Sequence, residues 1–158
     1  MIKNISLTSL ILLYFWLSMI IPTAQAADSR QQLANLLATH RGNVIYLDFW
    51  ASWCIPCRKS FPWMAEMQTK YQQQGLIIVS VNLDTEPALA HQFLKQNPID
   101  FKVVFDHQAL IAKDYQLKGM PSSFLIGRDG ELKATHVGFF NNQKTHYQNQ
   151  IKALLATL

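Results

Sequence analysis

The chain has 158 residues, 49% hydrophobic and 15% charged, which is enough for one domain with its own core and too apolar for a disordered segment. Its 14 Lys and Arg outnumber its 10 Asp and Glu. The excess is scattered, with no basic run longer than Arg58-Lys59, so the clustered basic surface of a nucleic-acid binder is excluded.

Lys3 precedes a nearly unbroken apolar run over residues 5–21, followed by Pro22 and Ala24-Gln25-Ala26. A positive start, an apolar stretch and a small-x-small site are the three parts of a secretory signal, with cleavage expected after Ala26. Residues 1–26 are thus expected to be a signal peptide and residues 27–158 the mature domain. An uncleaved membrane anchor is the alternative, because the run is of borderline spanning length. No Cys lies near the cleavage site to carry a lipid.

Asp28-Ser29 opens an expected helix over residues 28–42 with Leu33, Leu36 and Leu37 on one face. Val44–Trp50 is a near-continuous apolar run and reads as a buried strand. A longer helix follows to about Gln74, interrupted by Pro62 and stopped by Gly75. Residues 76–83 form a second buried strand. Thr85-Glu86-Pro87 then starts a helix with Leu89, Phe93 and Leu94 inward. A short strand is expected over 101–105 and a helix over 108–115, with Leu110 and Ile111 inside. Ser122–Ile126, the turn Arg128-Asp129-Gly130 and residues 132–139 read as a hairpin. A last helix over 142–158 carries Ile151, Leu154 and Leu155. Alternating strands and helices followed by a hairpin and helix indicate an α/β fold, with a mixed central sheet flanked by helices.

The chain contains two Cys, Cys54 and Cys57. Structural zinc needs more ligands than one C-x-x-C pair, and His40, His91, His107, His136 and His146 are dispersed. Covalent haem attachment needs His after the second Cys, where Arg58 stands. Neither a metal nor another cofactor is expected, and redox chemistry remains. Outside the cytosol such a pair can cycle between dithiol and disulfide.

The position supports that chemistry. Trp50-Ala51-Ser52-Trp53 leads off the buried strand, and Cys54 falls where the next helix begins. Unpaired N–H groups and the helix dipole there favour a thiolate, and Pro56 occupies the first turn without loss. Cys54 is expected to attack and Cys57, one turn deeper, to resolve the mixed disulfide. Asp48 lies in the apolar strand, where an acid is expensive without a role; a proton-relay function for Cys57 is expected. The alternative is an Asp pointing outward at the strand end. Gly119-Met120-Pro121 before a strand fits a cis X-Pro turn, and a trans proline closing a loop fits the same residues.

The stretch Asp48-Phe49-Trp50-Ala51-Ser52-Trp53-Cys54-Ile55-Pro56-Cys57 resembles the active-site strand and loop of thioredoxins. Pro62, the run Gly119-Met120-Pro121-Ser122-Ser123-Phe124 and Gly138 match the same superfamily. The resemblance covers nearly all of residues 44–158. It implies a thioredoxin fold in which Trp53, Ile55, Pro56, Met120 and Pro121 bind the client chain. The extra segment over residues 84–106, the signal sequence and Asp106-His107-Gln108 resemble the exported TlpA/ResA branch, whose helix–strand insert is expected here.

That branch implies a periplasmic monomer that reduces disulfides in exported client proteins, recharged by a membrane electron donor of the DsbD type. Some members serve cytochrome c maturation. Two residues depart from the branch: Ser60 replaces a glutamate of ResA-type members, and Asp48 replaces the Asn of many. Leu47 and Ala51 exclude the peroxidases of related fold, which need Pro and Thr or Ser there. The leading expectation is a protein-disulfide reductase. Installation of disulfides is the runner-up, and a non-catalytic metal- or client-binding module is the third class.

Overall fold

The computed structural model describes residues 29–157; the expected leader at 1–26 lies outside the described residues. In chain order the elements are α1 (Ser29–Thr39), β1 (Val44–Trp50), α2 (Ile55–Tyr71), β2 (Leu76–Asn82), α3 (Pro87–Gln96), β3 (Lys102–Phe105), α4 (Leu110–Asp114), β4 (Ser122–Ile126), β5 (Leu132–Val137) and α5 (Lys144–Leu155). Among the described residues no helix is long and apolar enough to cross a membrane.

The sheet order is β3-β2-β1-β4-β5. β1, β2 and β3 run parallel, while β4 pairs antiparallel to β1 and β5 antiparallel to β4. β1 is central and all seven of its residues are buried, as its nearly unbroken apolar sequence predicts. Its side chains alternate between two cores. Val44, Tyr46 and Trp50 join Phe61, Met64 and Met67 of α2, Phe93 of α3 and Ile151 of α5. Ile45, Leu47 and Phe49 face the other way, with Leu33 of α1 and Ile111 of α4. Asp48 falls on the α2 side by the same alternation.

α2 is fastened to the sheet by aromatic rings. Phe61 lies 4.7 Å from Trp50, 5.0 Å from Phe93 and 5.6 Å from Phe101, with steep interplanar angles. Edge-to-face contacts of this kind add to simple area burial. Trp63 lies 5.6 Å from Tyr46. The insert forms α3 and edge strand β3, so Phe93 and Phe101, both contributed by it, complete this lock.

At the end of the sheet where β1 and β2 start, Arg128 closes the fold. Its guanidinium donates to the carbonyls of Gly42 (2.8 Å), Gln74 (2.9 Å), Leu155 (3.2 Å) and Thr157 (3.0 Å). One side chain thereby ties the approaches to β1 and β2 to the end of α5.

Several boundaries differ from the sequence expectation. α1 stops at Thr39 and the chain turns through Gly42. α2 continues through Pro62 without a break; the missing N–H removes one helical hydrogen bond, and ring packing on both sides holds the helix. Leu89 is exposed and Ala90 is buried in its place, because the inward stripe of α3 runs through Ala90, Phe93 and Leu94. α4 is only five residues long and Leu110 is half-buried. β5 ends at Val137, since Gly138 at φ +85° turns the chain. α5 begins at Lys144 after a 3-10 turn, Asn141–Gln143.

Candidate redox site

β1 and β2 deliver Trp50 and Asn82 to the same end of the sheet, and the loop to α2 leaves from there. Cys54 caps α2 in an extended conformation, and its sulfur accepts from the Cys57 amide at 3.3 Å. The two residues are joined as a disulfide, with Cα atoms 5.3 Å apart. Cys57 has no exposed surface and Cys54 is 5% exposed. Trp53 and Ile55 on either side of Cys54 stand out into solvent, and Pro56 lies in the first turn. The order of access is therefore Cys54 first and Cys57 behind, as the spacing implies. Arg58 follows, its guanidinium 5.7 Å over the Phe93 ring, and adds positive charge to the helix start.

The Met120–Pro121 bond is cis. Phe49 pairs with Ser122, so Pro121 stands at the end of β1 from which the loop to Cys54 departs. Met120 is partly buried and packs on the cluster that contains both cysteines. Gly138 donates its amide to the Pro121 carbonyl at 2.7 Å. Its positive φ favours glycine, and a Cβ there would meet the Phe140 ring at 2.9 Å. Phe140 is 52% exposed and lies two residues beyond Gly138, which is hydrogen-bonded to Pro121. No periodicity marked Phe140 in the sequence, because its position depends on the turn at Gly138.

Asp48 is 1% exposed and its Oδ2 has no hydrogen-bond partner. Burial alone pushes its carboxyl well above the usual carboxylate range, because the charged form is desolvated. Tyr46, two residues back on the same face, is pushed above the usual phenol range by burial and then by the neighbouring Asp48 charge. The expectation that Asp48 is an inward acid holds. It shares the core face of β1 with α2, the helix that carries Cys57. Ser60, at the position of the ResA-type glutamate, is buried and donates to the Cys57 carbonyl at 2.8 Å.

Asp84 was not expected to be part of the site. It is fully buried and accepts from the Ser52 amide (3.0 and 3.2 Å), the Ser52 hydroxyl (2.9 Å) and the Asn82 amide nitrogen (2.8 Å). It fixes the loop that presents Trp53 and Cys54. His107 Nδ1 lies 2.6 Å from the Asp84 carbonyl oxygen, and Asp106 accepts from the Leu110 and Ala112 amides at the start of α4. Thus the Asp106-His107-Gln108 stretch braces the back of the loop. Among the described residues no three His, Cys, Asp or Glu side chains gather as a metal site.

A sheet of this order, a C-x-x-C disulfide capping the helix after its central strand and a cis-proline loop at the same end define a thioredoxin-type fold. The family model for redoxin matches residues 18–151, and the chain belongs to the redoxin family. It is 33% identical over 117 residues to the thiol-disulfide oxidoreductase ResA of Bacillus subtilis (strain 168), covering 73% of this chain and 65% of that protein. A Bacillus cereus (strain ATCC 10987 / NRS 248) ResA is 35% identical over 96 residues, 61% of this chain and 56% of that protein. The chain thus spans less than two thirds of these relatives. A Chlorobium tepidum structure described as thiol:disulfide interchange protein DsbE superposes with a TM-score of 0.75 at 49% identity, covering 76% of this chain and 85% of that one. StoA from Bacillus subtilis gives 0.59 at 28% identity, with 69% and 84% covered.

Asp84→Ala strands the Ser52 and Asn82 donors in the interior, at about 1–3 kcal/mol for each unsatisfied group. A loss of about 3 kcal/mol in urea unfolding is expected, with faster hydrogen exchange at the Ser52 amide. Asp48 acts on stability with the opposite sign. Its raised folded-state pKa means the native chain holds the proton more tightly than the unfolded chain. Stability is therefore full below the unfolded value of about 3.9 and is lost as pH rises through the folded value. Asp48→Asn should be more stable than the parent at pH 7, and the gain should vanish below about pH 4; urea unfolding at both pH values checks it.

Proposed function

We propose that this protein is an exported thiol–disulfide oxidoreductase that reduces disulfides in client proteins. The observation that carries the reading is the Cys54–Cys57 disulfide at the start of α2, with Cys54 between exposed Trp53 and Ile55 and Cys57 fully buried. The names of its ResA and DsbE relatives support the same chemistry.

In the reductive direction the Cys54 thiolate attacks a client sulfur. A Cys54–client disulfide forms, and the other client sulfur leaves as a thiolate. Cys57 then gives its proton to Asp48 and attacks Cys54, forming the internal disulfide and releasing the second client thiolate. Helix-start N–H groups and Arg58 favour the Cys54 thiolate. Trp53, Ile55, Met120 and Phe140 offer the client an apolar rim, and the Met120-Pro121 backbone pairs with its extended chain.

Residues 1–26 serve as the export signal in this reading, and the periplasm is the place of action. A membrane donor of the DsbD type returns two electrons to the pair, and the domain works as a monomer. Cytochrome c maturation is the role suggested by the branch. Ser60 in place of glutamate leaves Asp48 as the acid in the buried region behind Cys57, so a broader range of clients is proposed. The runner-up, disulfide installation, draws on Arg58 and Lys59 in the first turn of α2, which stabilise the reduced thiolate form and raise the potential.

Cys57→Ser should accumulate mixed disulfides with clients in growing cells, and Cys54→Ser should not; non-reducing gels read the difference, and equal trapping reverses the assignment of roles. Direction is read by redox equilibration of the full-length protein with glutathione. A potential more negative than about −210 mV fits the reductant, and one near −120 mV replaces it with the oxidant.

A further inference from the structure

The pairing register aligns four polar side chains in one row across the sheet. Asp48 on β1 is the Cα partner of Ser80 on β2 and of Ser123 on β4, and Ser123 is the partner of His136 on β5. Directly opposed residues share a face, with Cβ atoms roughly 4.5–5.5 Å apart. That face is the one covered by α2 and α5. Three of the four are buried, and His136 at the sheet edge is half-buried. Ser80 is engaged by Trp50 Nε1 at 3.2 Å, which leaves the row open toward β4.

The hydrogen bonds in that direction have a polarity. His136 Nε2 lies 2.8 Å from Gln150 Oε1. A carbonyl oxygen only accepts, so Nε2 carries the proton and Nδ1 is bare. Ser123 Oγ, 3.1 Å from Nδ1, therefore donates to it. On the β1 side Ser123 also meets the Tyr46 hydroxyl and lies opposite Asp48, whose Oδ2 has no partner.

We propose that Ser123 and His136 form the outlet through which the proton taken up by Asp48 reaches solvent. This rests on Asp48 being the acceptor for Cys57. Once Asp48 holds the Cys57 proton, rotation of its carboxyl toward β4 brings Oδ2 to the Ser123 oxygen, which takes the proton as Ser123 passes its own to His136 Nδ1. The doubly protonated imidazole releases one proton to water, and the reverse sequence recharges Asp48. No electron moves along the row. Neither residue touches the sulfurs; both act through Asp48.

The surroundings of His136 suit the task. α5 presents His146, Tyr147 at 4.8 Å between ring centroids, and Gln150, and its sequence contains no acid. β4 presents Ser123. Burial holds His136 below the usual imidazole value; the Gln150 contact opposes it, and the nearby His146 adds a smaller push downward. His136 is thus neutral at pH 7 and free to accept.

The test is single-turnover oxidation of the reduced full-length protein by insulin. His136→Gln retains hydrogen bonding but carries no proton. Its limiting rate should fall about tenfold, less than the roughly 10²–10⁴ contributed by a positioned acid or base, with half-saturating insulin unchanged. Added imidazole should restore the rate and leave the parent unaffected. Ser123→Ala should show the same fall, and Ser123→Thr, which keeps the hydroxyl, should recover it. Unchanged limiting rates in His136→Gln and Ser123→Ala overturn the outlet. So does a loss that neither imidazole nor Ser123→Thr repairs. Asp48→Asn separates the two readings: if it is slow while the row variants are fast, only the outlet fails; if it is fast, the proton role of Asp48 fails with it.

Discussion

A carboxyl group sealed inside a sheet strand is the constraint around which this molecule is organised. Asp48 sits in β1, the central strand, which pairs with β2 on one side and β4 on the other, and all of that strand is buried. Desolvation opposes its charge, and among the described residues no cation offsets it. The fold tolerates this because the surrounding core is extensive and rigid. The aromatic lock of Trp50, Phe61, Phe93 and Phe101 holds α2 against β1 without drawing on the acid. Such a group destabilises the charged native state, and the proposed proton transfer from Cys57 would give the fold a physical reason to keep it.

Two buried carboxyl groups near the disulfide are handled in opposite ways. Asp84 is surrounded by donors from Ser52 and Asn82, so its oxygens are occupied and its effect is geometric. Asp48 keeps one oxygen without a partner, which leaves it the proton-accepting role proposed above. The same residue type becomes a clamp or a base according to how many donors surround it. The insert matters to both: it supplies Asp84 at its start and Phe93 and Phe101 to the lock over β1.

Much of this was legible in the sequence. Val44–Trp50 was readable as a strand because burial on both faces leaves a nearly unbroken apolar run, and Ser122–Ile126 because the turn Arg128-Asp129-Gly130 marks a hairpin. The cysteine pair and Asp48 stood out because their chemistry is out of place in such surroundings. Asp84 was not legible, since an Asp after a strand also fits a solvated turn, and only the fold brings Ser52 to it. Phe140 depended on the backbone turn at Gly138. Ser123 and His136 are common residues whose meaning lies in cross-strand register, and register is a property of pairs of strands that no single segment encodes. Leu89 was misplaced for a smaller reason: a one-residue rotation of a short helix exchanges it with Ala90, and Ala is a weak signal of an inner face.

The anchoring of α1 has a consequence for how the domain is presented. The Ser29 hydroxyl donates to Asp106 at 2.9 Å, the Asp106 amide donates to the Asn82 carbonyl at 2.8 Å, and Asn82 is in register with Trp50. Ser29 is thereby fastened at the end of the sheet where the disulfide lies, on the layer opposite α2. A chain entering the domain at Ser29 therefore joins it at the reactive pole rather than at the pole closed by Arg128. Its contour, at most about 3.3–3.6 Å per residue, sets the farthest that this pole can stand from any surface holding the N-terminal segment. Any such tether would act as a leash on the chemistry itself, keeping the disulfide nearer to that surface than the rest of the domain.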